Sequence, residues 1–301
     1  MYLKCVILLC VTELLGVVIA NFYTPSRVVG RRVAKYDRKK SRGYPFELGL
    51  GYYYQGDIML VPPKKGRVSV SESKVDQIWP NGRVPYEILG DFYPIDLQTI
   101  QDAMDMFEEH TCVRFVKKTE ADDLWVKIVN NDTGCFSYVG RQMDNAYNLI
   151  NLQTPSCLYT TGTPVHEMMH AIGFYHEFTR PDRDDWININ RSALREELQT
   201  NSEFDTNFGK LDANEVDTYN VSYNYGSVMH YSMYAGAKSF EYPVLTNKQP
   251  WNGGDFGNDD GFAESDIEQV NIRYKCSRKK TSPNRRARRK KLNKSKILKS
   301  T

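Results

Sequence analysis

The sequence predicts an α+β fold: short stretches of β-branched and aromatic residues, separate stretches with apolar residues at helical spacing, and a histidine-rich string that needs a helix ending in a sharp turn. Strands are expected at Val113–Val116, Leu124–Val129 and Asn148–Leu152. A helix over Pro94–Glu109 is marked by Asp91 and Pro94 at its start, with Ile95, Ile100, Ala103, Met104 and Phe107 as its apolar stripe. A second helix over Thr163–Phe174 takes Thr163 as cap and Pro164 in its first turn. A third, Glu264–Tyr274, closes the domain before Cys276. Strands with helices around them give two halves, with a cleft between them on either side of His176.

The second helix carries the chemistry. Residues 166–184 read HEMMHAIGFYHEFTRPDRD. His166 and His170, four apart on a helix, face the same way, so both imidazoles can reach one metal ion. Gly173 can adopt φ > 0, which turns the chain and brings in His176 as a third ligand. Three protein ligands and an open fourth position define a catalytic zinc site, whereas structural zinc is closed by four. Three of the chain's five histidines fall in this string. A bare His-Glu-x-x-His arises by chance often, but chance does not readily add Gly173, His176 and the downstream turn Ser227-Val228-Met229-His230-Tyr231.

Length and ends bound the rest. At 301 residues and 41% apolar content, the chain builds one substantial domain with short appendages. Residues 1–20 form an apolar run after Lys4 that ends Val18-Ile19-Ala20 and reads as a signal peptide, although Glu13 interrupts it. No later stretch is apolar enough for a transmembrane segment, so a secreted, extracellular protein is expected. With Cys5 and Cys10 in the signal, Cys112, Cys135, Cys157 and Cys276 remain, an even number suited to two disulfides with three possible pairings. Asn131, Asn190, Asn220 and Asn293 begin glycosylation triplets.

The formal net charge of +3 hides an asymmetry, because residues 277–301 hold twelve Lys and Arg and no acid. Such a tail is expected to be disordered. Its natural partners outside the cell are sulfated glycans or acidic surfaces, not nucleic acid.

The extended histidine string, with Glu177 behind it, and the Ser-x-Met-His-Tyr turn resemble the astacin family of zinc endopeptidases, in the metzincin clan. The resemblance runs from about Trp79 to Cys276 and includes Val84-Pro85-Tyr86, Thr111-Cys112-Val113-Arg114-Phe115 and Gly134-Cys135-Phe136-Ser137-Tyr138. It implies one zinc held by His166, His170 and His176, and hydrolysis of internal peptide bonds of proteins by zinc-activated water, with Glu167 as general base. It implies that Tyr231 is a zinc ligand at rest and an oxyanion donor in the reaction. It makes Met229 a hydrophobic floor under the metal and pairs Cys112 with Cys276 and Cys135 with Cys157.

Between the signal peptide (1–20) and the basic tail (277–301), the same resemblance implies a propeptide (21–69, its end falling between 67 and 74) and a catalytic domain (70–276). Tyr54-Gln55-Gly56-Asp57 is similar to the family's propeptide motif, with Tyr in place of the usual Phe, and makes Asp57 the inhibitory zinc ligand of a zymogen. A trypsin-like protease is the expected activator, and Glu177 the expected partner of the freed amino terminus, unless it simply pairs with Arg180. Asp259 stands where many relatives carry an arginine that favours acidic side chains after the cut, so small or basic residues are expected there; its other reading is a cap for the helix that follows. The alternative to an enzyme is a catalytically silent, zinc-containing extracellular binding protein that works through its basic tail.

Overall fold

The computed structural model describes residues 24–62 and 77–277. The signal peptide, the 67–74 activation stretch, the Asn293 triplet and the basic tail lie outside the described residues.

The architecture is a mixed five-stranded sheet with helices against it, followed by a lobe with little regular structure. The strands are β1 (Arg83–Ile88), β2 (Arg114–Lys117), β3 (Val126–Val129), β4 (Cys135–Ser137) and β5 (Leu149–Leu152), in the order β2-β1-β3-β5-β4. All neighbours are parallel except β4, which runs antiparallel to β5 at the sheet's edge. A small antiparallel pair, β6 (Ile187–Ile189) and β7 (Leu245–Asn247), lies in the second lobe. The helices are α1 (Arg27–Val33), α2 (Pro94–His110), α3 (Gly162–Ala171), α4 (Asn201–Phe208) and α5 (Glu264–Arg273).

Three expected strands are present within one or two residues of their expected limits. β1 was not anticipated from strand patterning because Pro85 interrupts it. Pro85 is tolerated because it pairs only with Val116 of β2, and the pairing with β3 begins one residue later, at Tyr86. On α2, Ile100, Ala103, Met104 and Phe107 are buried as expected, but Ile95 is 72% exposed. It lies five residues before Ile100, which places it well round the helix from the buried stripe.

Helix α3 is buried along its whole length, against α2, β4 and β5. It starts earlier than expected: Thr161 occupies the cap position, and Thr163 is inside the helix. It also ends earlier, since Gly173 has φ +100. Gly173 N donates to His170 O at 2.8 Å and Phe174 N to Met169 O at 3.1 Å, a paired closure of the last turn that requires the left-handed glycine. Both disulfides are formed, Cys112–Cys276 joining the domain's beginning to its end and Cys135–Cys157 joining β4 to the turn before α3.

The leading segment, 24–62, carries a seven-residue helix that sequence periodicity did not reveal, and it is packed on the domain rather than apart from it. Tyr53 Oη donates to Thr133 O at 2.7 Å, Gln153 Nε2 to Gly30 O at 3.0 Å and Ser156 Oγ to Val33 O at 2.8 Å. Past Asp57 the segment adds to the sheet: Ser137 N donates to Asp57 O and Met59 N to Ser137 O, each at 2.9 Å, in parallel with β4.

Candidate metal centre and active site

His166 and His170 project from α3, His176 comes back after the Gly173 turn, and Asp57 arrives from the leading segment. One ligand atom from each lies within 4.8 Å of all the others, and all four side chains are buried. The Nε2 atoms of His170 and His176 stand 3.1 and 3.3 Å from that of His166. Asp57 Oδ2 is 2.9 Å from His166 Nε2, and Oδ1 is 3.1 Å from His176 Nε2.

The outer nitrogens explain why the inner ones are bare. His166 Nδ1 faces Val228 O at 2.7 Å, His170 Nδ1 faces Phe174 O at 2.7 Å and His176 Nδ1 faces Gln55 Oε1 at 3.0 Å. A carbonyl only accepts, so each Nδ1 carries the proton and each Nε2 presents a lone pair. Burial depresses His166 and takes His176 down to about 3, against the pull of Asp57, so these imidazoles stay neutral. Asp57 Oδ1, although close to the imidazoles, has no hydrogen-bond donor. Three converging lone pairs and an anionic oxygen fit a divalent cation at their centre, and imidazoles with one carboxylate suit zinc.

Glu167 sits beside this centre, fully buried, with neither carboxylate oxygen partnered. Burial, and then the charge of Asp57, raise it well above the usual range. The Ser227–Tyr231 turn lies beneath. Val228 supplies the carbonyl to His166, Met229 is 3% exposed, and Glu177 N donates to Met229 O at 2.8 Å. Tyr231 is wholly buried, and its hydroxyl donates to Gln55 O. Gly56, at φ +86, is required there: a Cβ would lie 2.5 Å from that hydroxyl. His230 takes no part in the cluster, because its Nδ1 faces Tyr231 O and its Nε2 faces the Tyr223 hydroxyl.

Glu177 is buried and accepts from Arg180 Nη1 at 3.0 Å and Asn224 N at 3.1 Å. Burial pushes it up to about 7, with Arg180 pulling the other way. It lines a cavity of about 410 Å³ together with Gln77, Gly173, Gln269 and Arg273. Asp259 does not cap α5. Asp266 takes that part, accepting from Ala263 N at 2.8 Å, while Asp259 accepts from Thr160 Oγ1 and pairs with Arg38. Asn131, Asn190 and Asn220 are exposed.

Sequence reasoning missed four residues that shape the site. Phe46 stacks on His166, with ring centroids 3.9 Å apart, and Glu47 bonds Ser232. Gln55 engages both His176 and Tyr231, and Asp266 anchors the lower turn through Ser227 and Val228. Only Gln55, two residues from Asp57, had a sequence signal.

Residues 71–275 match the family model described as Astacin, a peptidase family. Similar curated proteins include zinc metalloproteinase nas-14 of Caenorhabditis elegans, 35% identical over 67% of this chain and 38% of that protein. Zinc metalloproteinase nas-7 of the same organism is 34% identical over 78% of this chain and 58% of its own length. Bone morphogenetic protein 1 of Xenopus laevis is 33% identical over 68% of this chain. The chain spans only 28% of that protein, so each of these relatives extends well beyond the shared region. Among solved structures, high choriolytic enzyme 1, a hatching enzyme zinc-protease from Oryzias latipes, is similar with a TM-score of 0.57 and 31% identity. That match covers 67% of this chain and 96% of that one.

Proposed function

The chain belongs to the astacin family of zinc metallopeptidases, and on that premise we propose that it is a secreted zymogen of a zinc endopeptidase, cutting internal peptide bonds of proteins or peptides. One observation carries the proposal: three bare imidazole nitrogens converge beside an unpartnered buried carboxylate, Glu167, and Asp57 of the leading segment completes their ring of ligand atoms.

His166, His170 and His176 would hold the metal, and the Asp57 carboxylate would bind beside them while the propeptide is docked. Zinc bound there supplies Lewis acidity, polarising a carbonyl and lowering the pKa of a water. Glu167 then works as the base. Its two carboxylate oxygens, buried and without a protein partner, are free to take a proton from the attacking water and pass it to the leaving amine once Asp57 has left. Tyr231 stays protonated, since burial and then the nearby carboxylates raise it well above its ordinary value. Its hydroxyl is engaged by Gln55 O while the propeptide is present, so its two roles, resting zinc ligand and oxyanion donor, belong to the state after release.

Activation follows from the same contacts. A trypsin-like cut between residues 67 and 74 frees the propeptide, and the new amino terminus enters the cavity at Glu177, where an ammonium would compensate a buried carboxylate. Asp259 disfavours acidic side chains beside the cut. The two disulfides support an oxidising, extracellular location, the exposed Asn131, Asn190 and Asn220 are proposed glycan acceptors, and the basic tail is proposed to bind sulfated glycans or acidic surfaces.

The test is hydrolysis of casein or a quenched peptide by the secreted, trypsin-treated chain, beside Glu167→Ala and a chelator control. Activity lost in both controls supports the proposal. A trimmed, zinc-loaded protein that cuts neither substrate would overturn it, in favour of a binding protein acting through its tail.

A further inference from the structure

Two propeptide arginines rest on the catalytic body in contacts that neither inhibition nor catalysis uses. Arg38 Nε donates to Asp259 Oδ2 at 3.0 Å, and the other Asp259 oxygen accepts from Thr160 Oγ1. Four residues later the Arg42 guanidinium lies over the Tyr234 ring, 4.7 Å from its centroid. The chain then runs directly toward the metal site, through Tyr44, which donates to Phe256 O at 2.8 Å, to Phe46 on His166.

Both seats are built by the body. Gly162 N donates to Asp259 O at 3.0 Å, and a Cβ on Gly162 would collide with the Asp259 backbone, so this carboxylate is pinned to the start of α3. The Tyr234 ring is braced edge-to-face by Phe240, 6.0 Å between centroids, and stands three residues beyond Tyr231. Charge favours the same occupant over a wider range. Residues 77–276 hold 31 acidic and 15 basic side chains, whereas residues 27–42 of the propeptide hold eight basic and one acidic.

We propose that Asp259 and Tyr234 form a two-point cation receptor and that, once the propeptide has left, it takes Lys or Arg side chains of the substrate. The substrates are then basic protein segments with two cations about four residues apart and joined, as Arg38 and Arg42 are, across a turn, here closed by Ser41 N donating to Asp37 O at 2.7 Å. A half-exposed ion pair and a cation–π contact are each weak alone, so selectivity comes from engaging both, with the acidic body attracting such segments. The inference rests on the proteolytic reading above and specifies what that site selects.

The test uses trypsin-activated full-length protein and pairs of quenched peptides that carry either two Arg or two Glu four residues apart, moved stepwise along the peptide. The Arg member is expected to show a kcat/KM about tenfold higher, with that ratio falling roughly fivefold in Asp259→Asn and two- to threefold in Tyr234→Leu. Equal rates on the two members, or a ratio unmoved by both substitutions, overturn the proposal. Casein hydrolysis, run alongside, tests the protease itself. Fluorescence anisotropy on trimmed, zinc-loaded Glu167→Ala protein answers the question without any chemistry: tighter binding of the Arg peptide supports the receptor, and equal binding overturns it.

Discussion

Glu47 of the leading segment grips Ser232, the residue after Tyr231, with both carboxylate oxygens: Ser232 N donates to one at 2.6 Å and Ser232 Oγ to the other at 2.9 Å. The group is fully buried, and burial pushes it up to about 8, although the Ser232 bonds pull it back. It therefore ties the leading segment to the turn that carries Tyr231, and in the proposed zymogen it is a second latch beside Asp57. Replacing Glu47 with Ala leaves Ser232 N without a partner, at a cost of about 1–3 kcal/mol to the closed form. The unprocessed Glu47→Ala chain should hydrolyse a quenched peptide at least severalfold faster than unprocessed wild type. An unchanged rate would show that the Ser232 contact contributes nothing to latency.

In the proposed zymogen Asp57 acts at the metal itself, so its loss should have the larger effect. An Asp57→Asn chain keeps the shape of the segment but presents a neutral, weaker ligand to the cluster of His166, His170 and His176. Without any proteolytic cut, this variant should show more activity than Glu47→Ala while still binding one zinc, as read by metal analysis. An unprocessed variant as silent as wild type would mean that the rest of the propeptide blocks the cleft unaided.

Glu167 and Tyr231 should separate chemistry from binding. Glu167→Gln preserves volume beside the metal but removes the base, so the activated protein should lose about 10²–10⁴ in kcat, with KM and zinc content retained. Tyr231→Phe removes one donor to the developing oxyanion and should cost about 10²–10³ in kcat. A loss of zinc in the Glu167 variant would instead make that residue part of the metal's support.

The metal site was legible because its spacing is local. His166 and His170 share a helix face, and Gly173 must reverse the chain before His176, so eleven residues of sequence contain the geometry. Asp57 meets His166 across 109 residues, and it was read only through the resemblance of Tyr54-Gln55-Gly56-Asp57 to a family motif. Partners held by tertiary contact left no such trace: Glu47 and Ser232 are 185 residues apart, and Asp266 reaches Val228 across 38. Sheet elements shorter than four residues, such as β4, and a strand interrupted by Pro85 carry too little alternation to be read. Ile95 failed differently: it had the right residue type at the wrong angle.

Asp266 predicts a dependence of stability on pH. It is buried at the start of α5 and accepts from Ser227 Oγ at 2.5 Å, Val228 N at 3.0 Å and Ala263 N at 2.8 Å, so it ties the turn under the metal to the last helix. Burial raises it from 3.8 to about 6, against the lowering effect of those three bonds. Between about pH 4 and 6 the folded chain therefore keeps this proton while the unfolded chain has lost it. The folded state holds more protons over that window, so the Asp266 contribution falls as pH rises from about 4 to 6 and is constant above, by about 3 kcal/mol in all. An Asp266→Asn variant cannot titrate there. At about pH 4 its amide matches the protonated acid, one oxygen accepting from Val228 N and Ala263 N and the amide donating to Ser227 Oγ, so the two proteins should be equally stable there. As pH rises to about 6 wild type should lose stability relative to the variant, and the gap should then stay level. Denaturant unfolding of the two proteins at pH 4, 5, 6 and 7 measures that gap directly. A gap that is the same at every pH would mean that Asp266 is already ionised throughout, its three donors having overcome the cost of burial.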